Sequence, residues 1–142
     1  MMQLVRIQDD LPEDFGRLRA AADAEGFRAL ARLAAEWAQD RDAFVCLLGA
    51  MQDDRLAAIG GLTPEPEPQD QAAMRVRRLY VDPAARRSGV GRTLVNALLQ
   101  EALDSVSLVT INARDTLAPA FWTAVGFERV TDLPWSHQFV AH

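Results

Sequence analysis

The chain reads as one α/β domain built on a mixed sheet, and three observations predict this. Segments with strand-like and helix-like apolar spacing alternate along 142 residues. An apolar content of 49% is enough for a sizeable core. A strand, a glycine-containing loop and an amphipathic helix follow one another near the middle, at Met74–Leu103.

The elements follow in order. Gln3–Ile7 predicts a first strand. After Asp9-Asp10, Pro12 opens a helical stretch with Phe15, Leu18 and Ala22 on one face, and Gly26 breaks it. Phe27, Leu30, Leu33, Ala34 and Trp37 form the apolar stripe of a second helix that ends near Asp40–Asp42. Phe44–Met51 and Leu56–Thr63 are apolar runs joined by Gln52-Asp53-Asp54-Arg55, the pattern of a hairpin. Residues 64–71 alternate proline with acids and predict an extended, solvated loop.

Met74–Val81 is a strand whose alternation slips, because Val76 and Leu79 are an odd number of residues apart. A β-bulge accounts for the change of face, and so does a strand covered on both faces. Leu94, Val95, Leu98, Leu99, Ala102 and Leu103 mark the helix after the glycine loop, and Leu108–Ala113 the next strand. Asp115-Thr116 predicts a helix cap ahead of Pro119, with Gly126 as the stop. Phe127–Thr131 and Gln138–Ala141 complete the order βααβββαβαββ.

Charge narrows the function. The net charge is -5, yet Arg75–Arg92 holds six arginines against one acid, Asp82. Residues 1–70 hold fourteen acids against seven arginines. Overall acidity and the lack of interleaved aromatics argue against nucleic acid, and a compact polyanion fits the cationic segment better. No apolar run approaches the ~20 residues that span a bilayer, no signal peptide is evident, and the cytoplasm is the expected location. The single cysteine, Cys46, lies in an apolar run and reads as a buried, inert thiol; no metal site is expected.

Arg86-Arg87-Ser88-Gly89-Val90-Gly91 between strand and helix is a recipe for holding a pyrophosphate. Glycine lets backbone amides approach closely, and the first helical turn offers unpaired N–H groups and partial positive charge. Arg86, Arg87 and Arg92 add charge-assisted contacts. A P-loop is excluded because the chain has no lysine. A Rossmann fingerprint would stand at the first strand–helix turn, and this loop comes late in the chain.

Residues 78–94, from Arg78-Leu79-Tyr80-Val81-Asp82-Pro83 through Arg86-Arg87-Ser88-Gly89-Val90-Gly91-Arg92-Thr93-Leu94, resemble the central motif of the GCN5-related N-acetyltransferase (GNAT) superfamily. Asp115, Ala118, Phe121, Trp122, Gly126 and Phe127 resemble its second motif, where asparagine and tyrosine commonly stand in place of Asp115 and Trp122. The resemblance implies a single GNAT domain over residues 1–142, with a mostly antiparallel mixed sheet splayed at strand 4 and helices on both faces. It implies acetyl-CoA as cosubstrate, with pyrophosphate on the backbone of Arg87, Ser88, Gly89, Val90, Gly91 and Arg92. Leu79, Tyr80 and Val81 would meet the pantetheine and thioester, and Arg86, Thr93, Asp115, Phe121 and Trp122 would complete the cofactor site. Tyr80 and Trp122 are the candidate catalytic residues. Glu36, Asp40, His137 or solvent is the candidate base.

The implied reaction is direct attack of an amine, on a small molecule or an exposed amino group, within a ternary complex. The acceptor cleft would be walled by Phe27, Leu30 and Trp37 on one side and by Trp135 and His137 on the other. A homodimer accords with family habit. Trp122, and the lack of a carboxylate between Asp70 and Asp82, sustain an alternative: a catalytically degenerate acyl-CoA sensor or partner module.

Overall fold

A computed structural model describes residues 2–113 and 119–141. Among these residues, seven strands form one sheet in the order β1-β2-β3-β4-β5-β7-β6. The strands are β1 (Met2–Arg6), β2 (Cys46–Gln52), β3 (Arg55–Pro64), β4 (Met74–Val81), β5 (Leu108–Ile111), β6 (Glu128–Arg129) and β7 (His137–Val140). The helices are α1 (Phe15–Ala24), α2 (Ala29–Asp40), α3 (Val90–Leu103) and α4 (Pro119–Ala124). Every strand pair is antiparallel except β4–β5. The predicted element order holds. Boundaries move by a few residues: Pro12, for example, lies ahead of α1 in a turn, where its carbonyl accepts from the Phe15 N–H at 2.9 Å.

Helices cover both faces. On one, Leu18, Leu30, Leu33 and Trp37 of α1 and α2 pack on Leu47, Leu56, Ile59 and Tyr80. On the other, Leu94, Leu98 and Ala102 of α3 and Trp122 of α4 pack on Leu62, Val76, Leu79 and Val81. Burying each such large apolar side chain contributes about 1.5–3 kcal/mol. The β2–β3 hairpin turns at Asp53 and Asp54, both at positive φ (51° and 66°), as a two-residue turn of the right twist requires.

Two features of β4 shape the centre of the sheet. Its register against β3 jumps from Ile59–Tyr80 to Gly61–Arg77, and Arg78 sits at φ 58°. The slip is therefore a bulge, and it returns Leu79 to the same core as Val76. Against β5, pairing is confined to Met74–Val109 and Arg75–Thr110. Beyond Arg75, β4 runs on to Val81 without a β5 partner, so the sheet opens there.

The apex of that opening is held by a residue expected to be solvated. Glu65 is only 4% exposed. Its carboxylate accepts from Arg75 Nε at 2.8 Å, from Thr110 Oγ1 at 2.7 Å and from the Glu67 N–H at 2.7 Å. The proline-and-acid composition of residues 64–71 correctly marks an irregular segment. It conceals that the first acid turns inward to tie β4 to β5. Cys46 is buried as expected, and burial pushes its thiol up to about 11.

Candidate active site

The site grows out of the end of β4. Asp82 closes the strand: its N–H donates to the Ala57 carbonyl at 2.8 Å, and its carboxylate accepts from the Ala84 N–H at 3.1 Å. Arg17 of α1 donates to Asp82 Oδ2 at 2.7 Å and forms a fork with Asp14, whose carboxylate also accepts from the Leu56 N–H. The first helix thus fixes the point where the chain leaves the sheet.

The loop then makes two left-handed steps, Arg87 at φ 70° and Gly89 at φ 85°. A β-carbon at Gly89 would meet nothing within 4 Å, so glycine answers a conformational need there. Gly91 differs: a β-carbon would lie 3.0 Å from Val81 Cγ2 and 3.4 Å from Phe121 Cε1. Gly89 is the N-cap of α3 and has no side chain to offer it. Ser88 turns away, its hydroxyl donating to the Ala85 carbonyl at 2.5 Å. The opening N–H groups of a 14-residue helix thus face outward without a side-chain acceptor.

Above them lies a cavity of about 730 Å³. It is lined by Val81 of β4, by Ala85, Arg86, Arg87 and Gly89 of the loop, by Gly91 and Arg92 of α3, and by Ala120, Phe121, Ala124 and Val125 in and after α4. Arg87 is exposed, and Arg92 reaches across to donate to the Ala124 carbonyl at 2.6 Å. The cavity has an apolar wall from α4 and a cationic, amide-rich wall from the loop, which suits a phosphate-bearing molecule with an apolar arm.

Of the expected cofactor residues, Val81, Arg86, Arg87, Gly89, Gly91, Arg92 and Phe121 come together here. Leu79, Tyr80, Ser88, Val90, Thr93 and Trp122 do not line this cavity. Leu79 and Val90 pack in the core at 1% and 2% exposure, and Thr93 bonds back to the Gly89 carbonyl. Asp115, with its expected cap, lies outside the described residues.

Both candidate catalytic side chains sit otherwise than expected. Trp122 is fully buried, edge-on to Phe121 and Phe127 at centroid distances of 5.1 and 5.3 Å. It is core, because α4 turns Phe121 rather than Trp122 toward the cavity. The Tyr80 hydroxyl donates to Glu25, just past the end of α1. Arg86 closes the triad with two bonds to Glu25 at 2.5 and 2.9 Å and lies 5.6 Å over the Tyr80 ring. Burial first, then Glu25, pushes the Tyr80 phenol up, so it holds its proton at neutral pH. Arg86, then Tyr80, holds the Glu25 carboxyl below its usual range. The Arg86 guanidinium is thus committed to Glu25. The sequence offered no cue for this, since nothing near Glu25 marks it as facing β4.

The candidate bases are likewise engaged. Glu36 forms a fork with Arg78 at 2.8 Å on both oxygens, and that pair holds its carboxyl low. Asp40 caps a 3-10 turn by accepting from the Asp42 N–H. His137 is 3% exposed, its Nδ1 lies 2.8 Å from Ser136 Oγ, and burial, then Arg129, lowers its pKa. Leu30, Trp37, Trp135 and His137, expected to wall an open cleft, are all buried; Phe27 alone is half-buried, 6.1 Å from the Tyr80 ring.

The family model of the acetyltransferase (GNAT) family matches residues 4–127. The chain belongs to that family. It is 32% identical over 89 residues to an uncharacterised protein of Mycobacterium leprae (strain TN), covering 63% of this chain but 24% of that protein. The chain therefore spans about a quarter of the length of the curated relative it matches. Its fold is that of a candidate acetyltransferase from Exiguobacterium sp. 255-15, with a TM-score of 0.86, 22% identity and coverage of 99% and 93% of the two chains. It is also that of a GNAT family acetyltransferase from Brucella melitensis solved with acetyl-CoA, with a TM-score of 0.65, 16% identity and coverage of 100% and 96%. In this GNAT chain the unpaired part of β4, the loop and the uncapped start of α3 lie in one continuous stretch of sequence. Among the described residues, no helix is long and apolar enough to cross a membrane, and no group of three His, Cys, Asp or Glu residues could hold a metal ion.

Proposed function

We propose that the chain transfers the acetyl group of acetyl-CoA to an amine, by direct attack within a ternary complex. The observation that carries this reading is the 730 Å³ cavity over the uncapped start of α3, with cations on one wall and Phe121 on the other. The pyrophosphate would rest on the N–H groups of Gly89, Val90, Gly91 and Arg92, with Arg87 and Arg92 adding charge. The pantetheine arm would run along Val81 into the opening beyond Arg75. Acetyl-CoA in the Brucella relative supports the choice of cofactor.

This chain supplies position and a polar surround. Backbone groups of β4 left without a β5 partner are available to the thioester oxygen as negative charge develops on it. Tyr80 keeps its proton and orders Glu25 and Arg86, a positioning part rather than an acid. The departing thiolate, with a pKa of roughly 8.5 for an ordinary thiol, leaves without a protein acid. Glu25 and Glu36 are tied to arginines, so the amine is drawn from solution as its free base, and the proton its nitrogen sheds as the carbon–sulfur bond breaks passes to water. Release of CoA, followed across an amine panel and across pH, tests the reading. The expected log(kcat/KM) climbs with a slope of about one until the amine's own pKa, near ~10. A plateau beginning near neutral pH would identify a protein base and contradict the scheme. Acetyl-CoA binding without CoA release from any amine would favour the sensor reading.

A further inference from the structure

β4 carries three arginines on or beside the face that α2 covers, and two of them are matched. Arg75 pairs with buried Glu65, and Arg78 pairs with Glu36. Arg77 is the third. It is half-buried, and among the described residues it has neither a hydrogen bond nor an ion pair. Burial, then Arg78, works against its charge, and Glu36, already occupied by Arg78, only partly offsets this. Its guanidinium nitrogens keep contact with solvent, since no buried side-chain nitrogen lacks a partner among the described residues, and a half-buried guanidinium that is not held by a carboxylate is free to take an incoming anion.

Arg77 also lines a cavity. An open cavity of about 320 Å³ lies between β4 and the C-terminal part of α2, with Phe44 as an apolar wall and Gln39 and Thr63 as polar ones. Glu36 and Asp40 complete the rim. The cavity is distinct in its lining from the one over α3. Arg77 immediately precedes the bulge at Arg78 and stands two residues before Leu79, in the part of β4 that has no β5 partner. A small molecule anchored at Arg77 therefore reaches the backbone beside the opening.

We infer that this cavity is an acceptor subsite in which Arg77 holds an oxyanion, a carboxylate or a phosphate, carried by the amine that is acetylated. The inference rests on the acetyl-transfer reading for the fate of the amine, and on the unmatched charge and the cavity for the oxyanion. Five N–H groups in a planar fork donate to either oxyanion in two-point contact.

The experiment compares amines with and without the anion: β-alanine against β-alaninamide, and O-phosphoethanolamine against ethanolamine. Each is titrated by calorimetry into the wild-type chain and into Arg77→Gln, with and without CoA, and acetyl-CoA turnover is followed in parallel. At least one anionic amine should bind about tenfold or more tightly than its neutral partner. Arg77→Gln should reduce that preference by about 10- to 100-fold, with the larger loss showing whether carboxylate or phosphate is the natural group. The variant should melt close to the wild-type temperature, since among the described residues Arg77 makes no hydrogen bond or ion pair for the fold to lose. Equal affinity within both pairs, or an unaltered preference in Arg77→Gln, overturns the proposal. So does a marked drop in melting temperature, which would make Arg77 a structural residue. Failure to bind acetyl-CoA would count against the acetyl-transfer reading, whereas the binding ratios judge Arg77 independently of it.

Discussion

Trp122 shows how one position can carry a family motif and yet do different work. Its indole is fully buried, wedged between Phe121 and Phe127, while Phe121 lines the cavity over the start of α3. Trp122→Ala should therefore cost about 3–5 kcal/mol of stability, the range for deleting a buried large aromatic. Trp122→Phe should cost less than half of that. Equilibrium denaturation measures both; a loss of turnover in Trp122→Ala with unchanged stability would instead place the indole at the reaction. The motif located this residue in the sequence, but which of two adjacent aromatics faces the cavity is decided by the rotation of α4, and spacing alone does not fix that. Glu25 is the converse case. It follows an ordinary amphipathic helix, and only tertiary packing brings it to Tyr80 and Arg86.

Among the elements, β4 is where sequence reading went furthest and also where it stopped. The odd spacing of Val76 and Leu79 left open a bulge or a strand covered on both faces, and the register jump at Gly61–Arg77 shows the bulge. The alternation of apolar and polar residues carries such slips directly, because each extra residue turns every later side chain to the other face. Residues 64–71 gave the opposite lesson, since proline-rich polar composition describes a loop's average and not the one residue that turns inward. Glu65 joins β4 and β5 through Arg75 and Thr110 at the point where the two strands part. Glu65→Gln should destabilise the protein by about 3–5 kcal/mol, because it leaves Arg75 buried without its counter-charge. Glu67→Gln, at an exposed neighbouring position, should change stability by less than about 0.5 kcal/mol. Urea denaturation of the pair checks this, and equal small effects would mean that the Glu65 network does not hold the apex.

For the whole molecule, the pattern of ion pairs predicts how the fold responds to acid. His137 has its pKa lowered below 6.5 by burial, then by Arg129, so the folded state favours the neutral ring. That contribution is present above the unfolded pKa and is lost as pH falls from about 6.5 through the folded value. Asp14, Glu25 and Glu36 are held low by Arg17, Arg86 and Arg78 respectively. Their contribution is present above the unfolded carboxylate pKa of about 4 and is lost below it. Stability should thus decline gently from about pH 6.5 and steeply below about pH 4. Denaturant midpoints measured across pH should show both limbs, and His137→Gln should remove only the first. A single limb confined to acid pH in the wild type would contradict the role given to His137.

At the same scale, the fold brings the opened sheet, the left-handed loop and the uncapped helix start into one cavity, and the account rests on acetyl-CoA binding there. Titration calorimetry of acetyl-CoA with the wild-type chain and with Gly89→Val tests it most directly. Gly89 sits at φ 85° with open space around its α-carbon, so a side chain both strains the turn, by about 1–2 kcal/mol, and projects toward the expected pyrophosphate. Acetyl-CoA should bind the wild-type chain one-to-one, and at least tenfold more weakly a Gly89→Val protein that circular dichroism shows to be folded. Equal affinity for acetyl-CoA in the wild type and the folded variant would contradict it.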